Sequence, residues 1–312
     1  MPYTRALKYR FPLAVGEDVL AVQSRLRQIG LSTGQPDGVF GPQTETAVLA
    51  FQRDRRLKQD GIVGSLTWST LFGSAPSDPL SLDPKCPDPS TDKICAILNE
   101  IKALHRYKDG VAWCVGPTGV VIDGGSPETT GGEPATVRKV WQRFGVAIDQ
   151  WALKFGVPAE LIIATICTES RGDPSATREE PGYLSDEQTP SRVSPGLMQT
   201  LISTARSALA DNTIDRHWLL EPGNSIRAGT AYIASQWKTT HFDPPKVACA
   251  YNAGGVYHNT SPDNRWKMKQ YPINSDDHAD RFIKWFNDCF VMFEKDGKAP
   301  AISFFAMIGR DR

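Results

Sequence analysis

The sequence predicts a mainly α-helical protein of two domains. Three observations lead there. Apolar residues recur at helical spacing through most of the chain, one eight-residue turn pattern occurs twice near the start, and a Pro/Ser/Asp-rich stretch interrupts the helical pattern. A length of 312 residues gives each of two domains enough chain to bury a core. Lys+Arg and Asp+Glu both total 35, so the formal charge is zero. A dedicated nucleic-acid binder, which needs a basic surface, is therefore not expected.

The first domain is read over residues 1–73. In "VLAVQSRLRQIGL" and "TETAVLAFQRDRRL", the residues Val19, Val22, Leu26 and Ala47, Val48, Phe51 fall at helical spacing. "DGVFGPQT" at 37–44 and "DGIVGSLT" at 60–67 repeat the register Asp-Gly-x-x-Gly-x-x-Thr. Asp-Gly suits a tight turn, the second Gly tolerates a positive φ, and the Thr lies where a helix begins or is capped. A bundle of about three helices follows. With Phe51-Gln52 and the closing "TWSTLFG", residues 14–73 resemble the peptidoglycan-binding domain found beside many wall hydrolases. The resemblance, not the periodicity, supplies the implied ligand, bacterial peptidoglycan.

Residues 74–92 are rich in Pro, Ser and Asp and read as an extended linker. Six cysteines are scattered without metal-ligand spacing, so mostly reduced thiols are expected, with a Cys86–Cys95 pair open after export. The second domain is read over 93–312, with a core at about 136–290. "KICAILNEIKALHR" at 93–106 looks like an amphipathic helix, and "GVAWCVGPTGVVIDGG" looks like short β-runs broken by Gly and Pro. This stretch is an N-terminal extension with no assigned role. From residue 135 onward, helical segments start after Pro or Asn and end at Gly. In the last of them, Phe282, Trp285, Phe286, Phe290 and Phe293 share a face expected to pack on the domain, the sharper alternative being a membrane-active tail.

One acid stands out in "ATICTESRGDP", at 164–174. Pro158 suits the first turn of its helix and Gly172 the C-terminal cap. Glu169 shares a face with Leu161, Ile162, Thr165 and Ile166. Desolvation there, and the negative end of the helix dipole, both raise a carboxyl pKa, which is what a general acid needs. The plainer reading is a solvated charge on a last turn. "SPGLMQT" at 194–200 and "CAYNAGG" at 249–255 add small residues, where backbone approaches a ligand, and polar readers in Gln199, Tyr251 and Asn252.

In this order the three strings resemble the soluble lytic transglycosylases, relatives of goose-type lysozymes, over about residues 140–275. The resemblance implies a lysozyme-like helical catalytic domain with Glu169 as sole catalytic acid and base. It implies that Gln199 and Tyr251 line the cleft and that Asn252 shapes its turn. Ser170 reads as structural, and Met198 as packing on the catalytic helix. The implied reaction cleaves the β-1,4 bond between N-acetylmuramic acid and N-acetylglucosamine without water, leaving 1,6-anhydromuramic ends. It uses no cofactor.

Two features depart from that family. "TREEPGYLSDEQTPSRV" at 177–193 is a long polar insertion whose Glu179, Glu180, Asp186 and Glu187 read as a solvated loop. A downstream Tyr-Val motif is absent, and Trp266 and Tyr271 receive no role. No nucleophile elbow, phosphate loop or His-Glu-x-x-His zinc helix occurs. His105, His217, His241, His258 and His278 are too scattered to read as ligands, so no metal is expected.

Joined to a wall-binding module, such a domain resembles the modular endolysins of phages that infect Gram-negative bacteria. "MPYTRALKYRFPLAVGEDVL" lacks the apolar core of a secretory signal, and no stretch approaches the roughly 20 apolar residues of a membrane span. The expectation is a monomer without stable membrane insertion, accumulating in host cytoplasm and acting on the wall in the periplasm after release. The alternatives are a goose-type muramidase, which hydrolyses the same bond, and a non-catalytic wall-binding or virion structural protein.

Overall fold

The computed structural model describes residues 3, 5–10, 13–31, 36–55, 57–72, 100–300 and 302–308. The chain divides into two compact units, Met1–Ala96 and Ile97–Arg312. The expected linker at 74–92, with Cys86, and Cys95 beyond it, lie outside the described residues.

In the first unit, helix α1 spans Glu17–Gln28, α2 Pro42–Asp54 and α3 Ser65–Phe72. The apolar positions at helical spacing, Val19, Val22, Leu26, Ala47, Val48 and Phe51, are all buried. Each repeated turn is gripped by a glutamine of the preceding helix. Gln23 Nε2 faces Asp37 Oδ1, Val39 O and Thr44 Oγ1 at 2.9–3.0 Å, while its Oε1 accepts from the N–H groups of Asp37 and Gly38. Gln52 repeats this set on Asp60, Ile62, Thr67 and Gly61 at 2.8–3.3 Å. Both glutamines are buried, so these bonds meet polar needs that water does not. Thr44 and Thr67 are the third residues of their helices and bond to the glutamines; they do not cap.

The second unit departs from expectation at its start. Helical residues are present at 100–102, but His105–Arg106 is strand β1. It pairs antiparallel with β2, Ala112–Gly116, which pairs with β3, Gly119–Ile122. This sheet is no appendage. Ile101, Trp113, Val115 and Val120 belong to the same buried cluster as the helical core. Trp113 Nε1 and His105 Nε2 reach the fully buried Asp243 at 2.8 and 2.9 Å.

Helix α4, Ala135–Phe155, and α5, Ala159–Ser170, follow. Residues 159 to 167 of α5 are buried without a break, which is why that run reads as apolar all round rather than as a stripe. Its one early acid, Glu160, accepts from Ser303 Oγ at 2.6 Å and from the N–H groups of Phe304 and Phe305 at 3.0 and 2.9 Å.

Beyond α5 the insertion is not a bare loop. Strand β4, Thr177–Glu179, pairs with β5, Val193–Pro195. Then come α6 (Ile202–Leu209), α7 (Arg216–Leu220), α8 (Pro222–Ser235), α9 (Trp237–Thr240), α10 (Pro244–Ala253), α11 (Asp277–Asp296) and α12 (Phe304–Ile308). The aromatic face of α11 is core, with Phe282, Phe286, Phe290 and Phe293 buried and Trp285 packed at the edge. Among the described residues no helix is long and apolar enough to cross a membrane.

Candidate active site

Helix α5 ends at Ser170, and the chain leaves it through two left-handed residues, Arg171 (φ 53°) and Gly172 (φ 82°). The expected glycine cap is thus preceded by an arginine, whose N–H closes the last turn on Cys167 O at 3.2 Å. One residue earlier, the Glu169 side chain keeps 19% of its surface. Burial pushes its pKa up to about 7, against Arg281 and Arg178, which pull it down. The helix C-terminus adds in the same direction as burial.

The Gly-Leu-Met-Gln segment lies beside this helix end because Ser170 Oγ donates to Leu197 O at 2.7 Å. Gly196 has φ 86°, and a Cβ there would lie 2.1 Å from Leu219 O, so the position admits only glycine. Met198 is buried with its sulfur against Gly229 of α8, where an added Cβ would meet it at 2.5 Å. It belongs to the same buried cluster as the apolar residues of α5.

Gln199 takes the left-handed region, φ 48°. Its Nε2 donates to Ala176 O at 2.9 Å and Gly196 O at 2.8 Å, so the amide braces the base of the β4–β5 ribbon. Tyr251, on α10, is buried and donates its hydroxyl to Met198 O at 2.8 Å. The same oxygen lies 2.8 Å from Thr200 Oγ1, which must then be the donor, since the phenolic proton is already given to a carbonyl. Burial pushes the Tyr251 hydroxyl well up, and the field of Glu169 adds to that push. In this arrangement the polar heads of Gln199 and Tyr251 bond within the protein.

Asn252, the penultimate residue of α10, has its side chain between two partners: its Oδ1 accepts from Tyr271 N–H, and its Nδ2 lies 3.4 Å from His278 Nδ1. His278, on α11, has its Nε2 3.7 Å from Glu169 Oε1. Sequence reading passed over His278 and Thr200. A histidine gives no local signal when its partners are brought to it by another helix, and Thr200 is distinguished only by standing next to Gln199. Trp266 is fully buried and donates to Asp280 Oδ1 at 2.6 Å, whereas Tyr271 is half exposed.

Three of the four acids of the insertion are paired, and the fourth, Glu187, is exposed. Arg216 binds Asp186 at 2.8 and 3.0 Å and Glu179 at 2.8 Å, Tyr183 donates to Asp186 at 2.7 Å, and Arg178 pairs with Glu180 at 2.9 Å. The Arg216 guanidinium holds the Asp186 carboxyl below its ordinary range. Among the described residues no group of three or more His, Cys, Asp or Glu is arranged to hold a metal ion.

Residues 15–71 match the peptidoglycan binding domain family, and residues 146–273 match the Transglycosylase SLT domain. The chain is 41% identical over 69 residues to the N-acetylmuramoyl-L-alanine amidase CwlM of Mycobacterium tuberculosis, a match covering 22% of this chain and 17% of that protein. It is 40% identical over 65 residues to the spore cortex-lytic enzyme of Oceanobacillus iheyensis, covering 21% of this chain and 24% of the relative. The chain thus spans a quarter or less of the length of these curated relatives. Among solved structures, a Burkholderia AP3 phage endolysin aligns over 93% of this chain and all of its own, at 15% identity and a TM-score of 0.24. So loose a superposition bears on neither fold nor function.

Proposed function

We propose that this chain, which carries a peptidoglycan binding domain and a Transglycosylase SLT domain, is a peptidoglycan lytic transglycosylase that uses Glu169 as its one acid and base. The observation that carries the reading is the place of Glu169 at the end of a buried helix, with the Gly-Leu-Met-Gln segment bonded to the next residue and Tyr251 bonded to that segment, where burial pushes its pKa up to about 7. At neutral pH such a group is protonated often enough to donate and ionised often enough to accept.

In the proposed cycle, Glu169 gives its proton to the glycosidic oxygen between N-acetylmuramic acid and N-acetylglucosamine. The substrate's N-acetyl group supports the developing cation, as in substrate-assisted glycosidases that lack a second carboxylate. The Glu169 carboxylate then takes the proton of the muramic 6-hydroxyl, whose oxygen closes on C1 as a 1,6-anhydro ring. No water is consumed. Gln199 and Tyr251 would hold the walls of the cleft in register, and Asn252 its far turn.

A hydrolase acting on the same bond gains from a second carboxylate that activates water. The insertion was the place to look for one, but Asp186, Glu179 and Glu180 are each bound to an arginine. The endolysin setting, with accumulation in host cytoplasm and action on the wall after release, belongs to the same reading. It rests on the pairing of a wall-binding module with a glycan-cleaving domain. Mass spectrometry of unreduced digests tests the chemistry: anhydro ends are about 18 mass units lighter than hydrolysed ends and resist borohydride. Predominantly reducible muramic acid ends would make the protein a muramidase.

A further inference from the structure

The hydrogen bonds around Asn252 fix the protonation of a histidine that faces the candidate acid. Tyr271 N–H can only donate, so the Asn252 atom it meets is the carbonyl oxygen. The other end of that amide, Nδ2, can only donate as well, and it faces His278 Nδ1 at 3.4 Å. Nδ1 must therefore present its lone pair. The remaining proton of a neutral imidazole sits on Nε2, which lies 3.7 Å from Glu169 Oε1.

We propose that His278 is a positioning residue for Glu169: a neutral imidazole, locked in its Nε2–H tautomer by the Tyr271–Asn252 link, that donates to the carboxylate formed each time the acid gives up its proton. This rests on the reading of Glu169 as the acid. At 3.7 Å the contact is longer than a hydrogen bond, and in the proposed cycle it shortens when negative charge appears on Glu169. Burial keeps the imidazole neutral by pushing its pKa down to about 4, with Arg281 on the same helix adding to that push. The other groups acting on Glu169 are Arg281 and, from the β4–β5 ribbon, Arg178. Tyr251, on α10, lies in the field of Glu169 as well. Among the described residues, the hydrogen bond to His278 Nδ1 comes from Asn252, so the tautomer depends on Asn252.

A donor aimed at a carboxylate favours its ionised form and so lowers its pKa. His278→Phe fills the space without the donor. The alkaline limb of the pH–rate profile on soluble glycan fragments should move up by about half a unit or more, with kcat reduced about tenfold. His278→Gln, which restores an N–H, should bring the limb back toward that of the unaltered protein. A merely structural histidine would lower activity in both variants without moving the limb, and that result overturns the proposal. In the unaltered chain, nitrogen-15 NMR of the His278 ring should show Nε2 protonated and Nδ1 bare throughout about pH 5 to 8. The opposite tautomer, or an imidazolium, overturns the proposal even if His278→Phe does not fold. Glu169→Gln serves as the control: if it stays active, the reading of the acid has failed, and if it is inactive while the limb does not move in His278→Phe, only the role of His278 has failed.

Discussion

Buried Glu169 bears on stability as well as on the proposed chemistry. Its pKa rises from an ordinary 4.5 to about 7 through burial. Below about pH 4.5 the group is protonated folded or unfolded and contributes no pH dependence. Between the two values the folded state holds a proton that the unfolded state releases, so stability falls as pH rises. Above about 7 the folded protein carries the full cost of a buried charge, up to about 3 kcal/mol. Glu169→Gln keeps size and much of the hydrogen bonding but cannot cycle a proton. Its melting temperature should exceed that of the unaltered protein at pH 8, with the gain vanishing near pH 4. Lysis should fall by at least about a hundredfold with wall binding intact. Near-normal lysis by a folded variant would remove Glu169 as the acid, and melting curves without a pH-dependent gap would mean that its carboxyl is not desolvated.

Elements show which parts of the site a linear reading can reach. Helix α5 was legible because its apolar run is continuous and bounded by Pro158 and Gly172, and the turn strings at 194–200 and 249–255 were legible as motifs. Their joints were not. Ser170 to Leu197, Tyr251 to Met198, and Asn252 to His278 each connect residues from different elements, and no local pattern encodes a pairing between them. The runs that become β2 and β3 were legible as short strands, but the same limit hid β1 and the seating of the sheet, whose place is set by Asn287 of α11. That side chain accepts from Val120 N at 2.7 Å and donates to Val120 O at 3.1 Å and Glu128 O at 2.7 Å. Gly119 leaves room for it: a Cβ there would lie 2.3 Å from Asn287 Oδ1. Asn287→Ala should therefore cost about 2 to 4 kcal/mol, because three bonds, two of them buried, are lost and their backbone partners are left without this donor and acceptor. Chemical denaturation measures the loss. A cost below about 1 kcal/mol would mean that the sheet is held by the packing of Trp113, Val115 and Val120 alone.

Across the whole molecule, each unit has its own interior. Leu7, Val19, Val22, Phe40, Phe51 and Val63 are buried in the first, and the second has a cluster running from Ile101 to Ile308. The β1–β3 sheet sets where a separation must be made: Trp113, buried against Trp266 with ring centroids 5.4 Å apart, belongs to the second core. A chain beginning at residue 93 should therefore fold and cut soluble glycan fragments at an undiminished rate. On intact sacculi it should act about tenfold or more slowly, because a tethering module raises the local concentration of the cleft on its polymer without touching the bond being cut. The zero net charge sharpens the test, since overall electrostatic attraction to the wall cannot substitute for the missing module. Residues 1–73 alone should sediment with purified peptidoglycan, and failure to do so would remove the tether. Equal loss on fragments and sacculi would instead mean that the N-terminal module completes the catalytic fold, and the two interiors would then have to be treated as one cooperative unit.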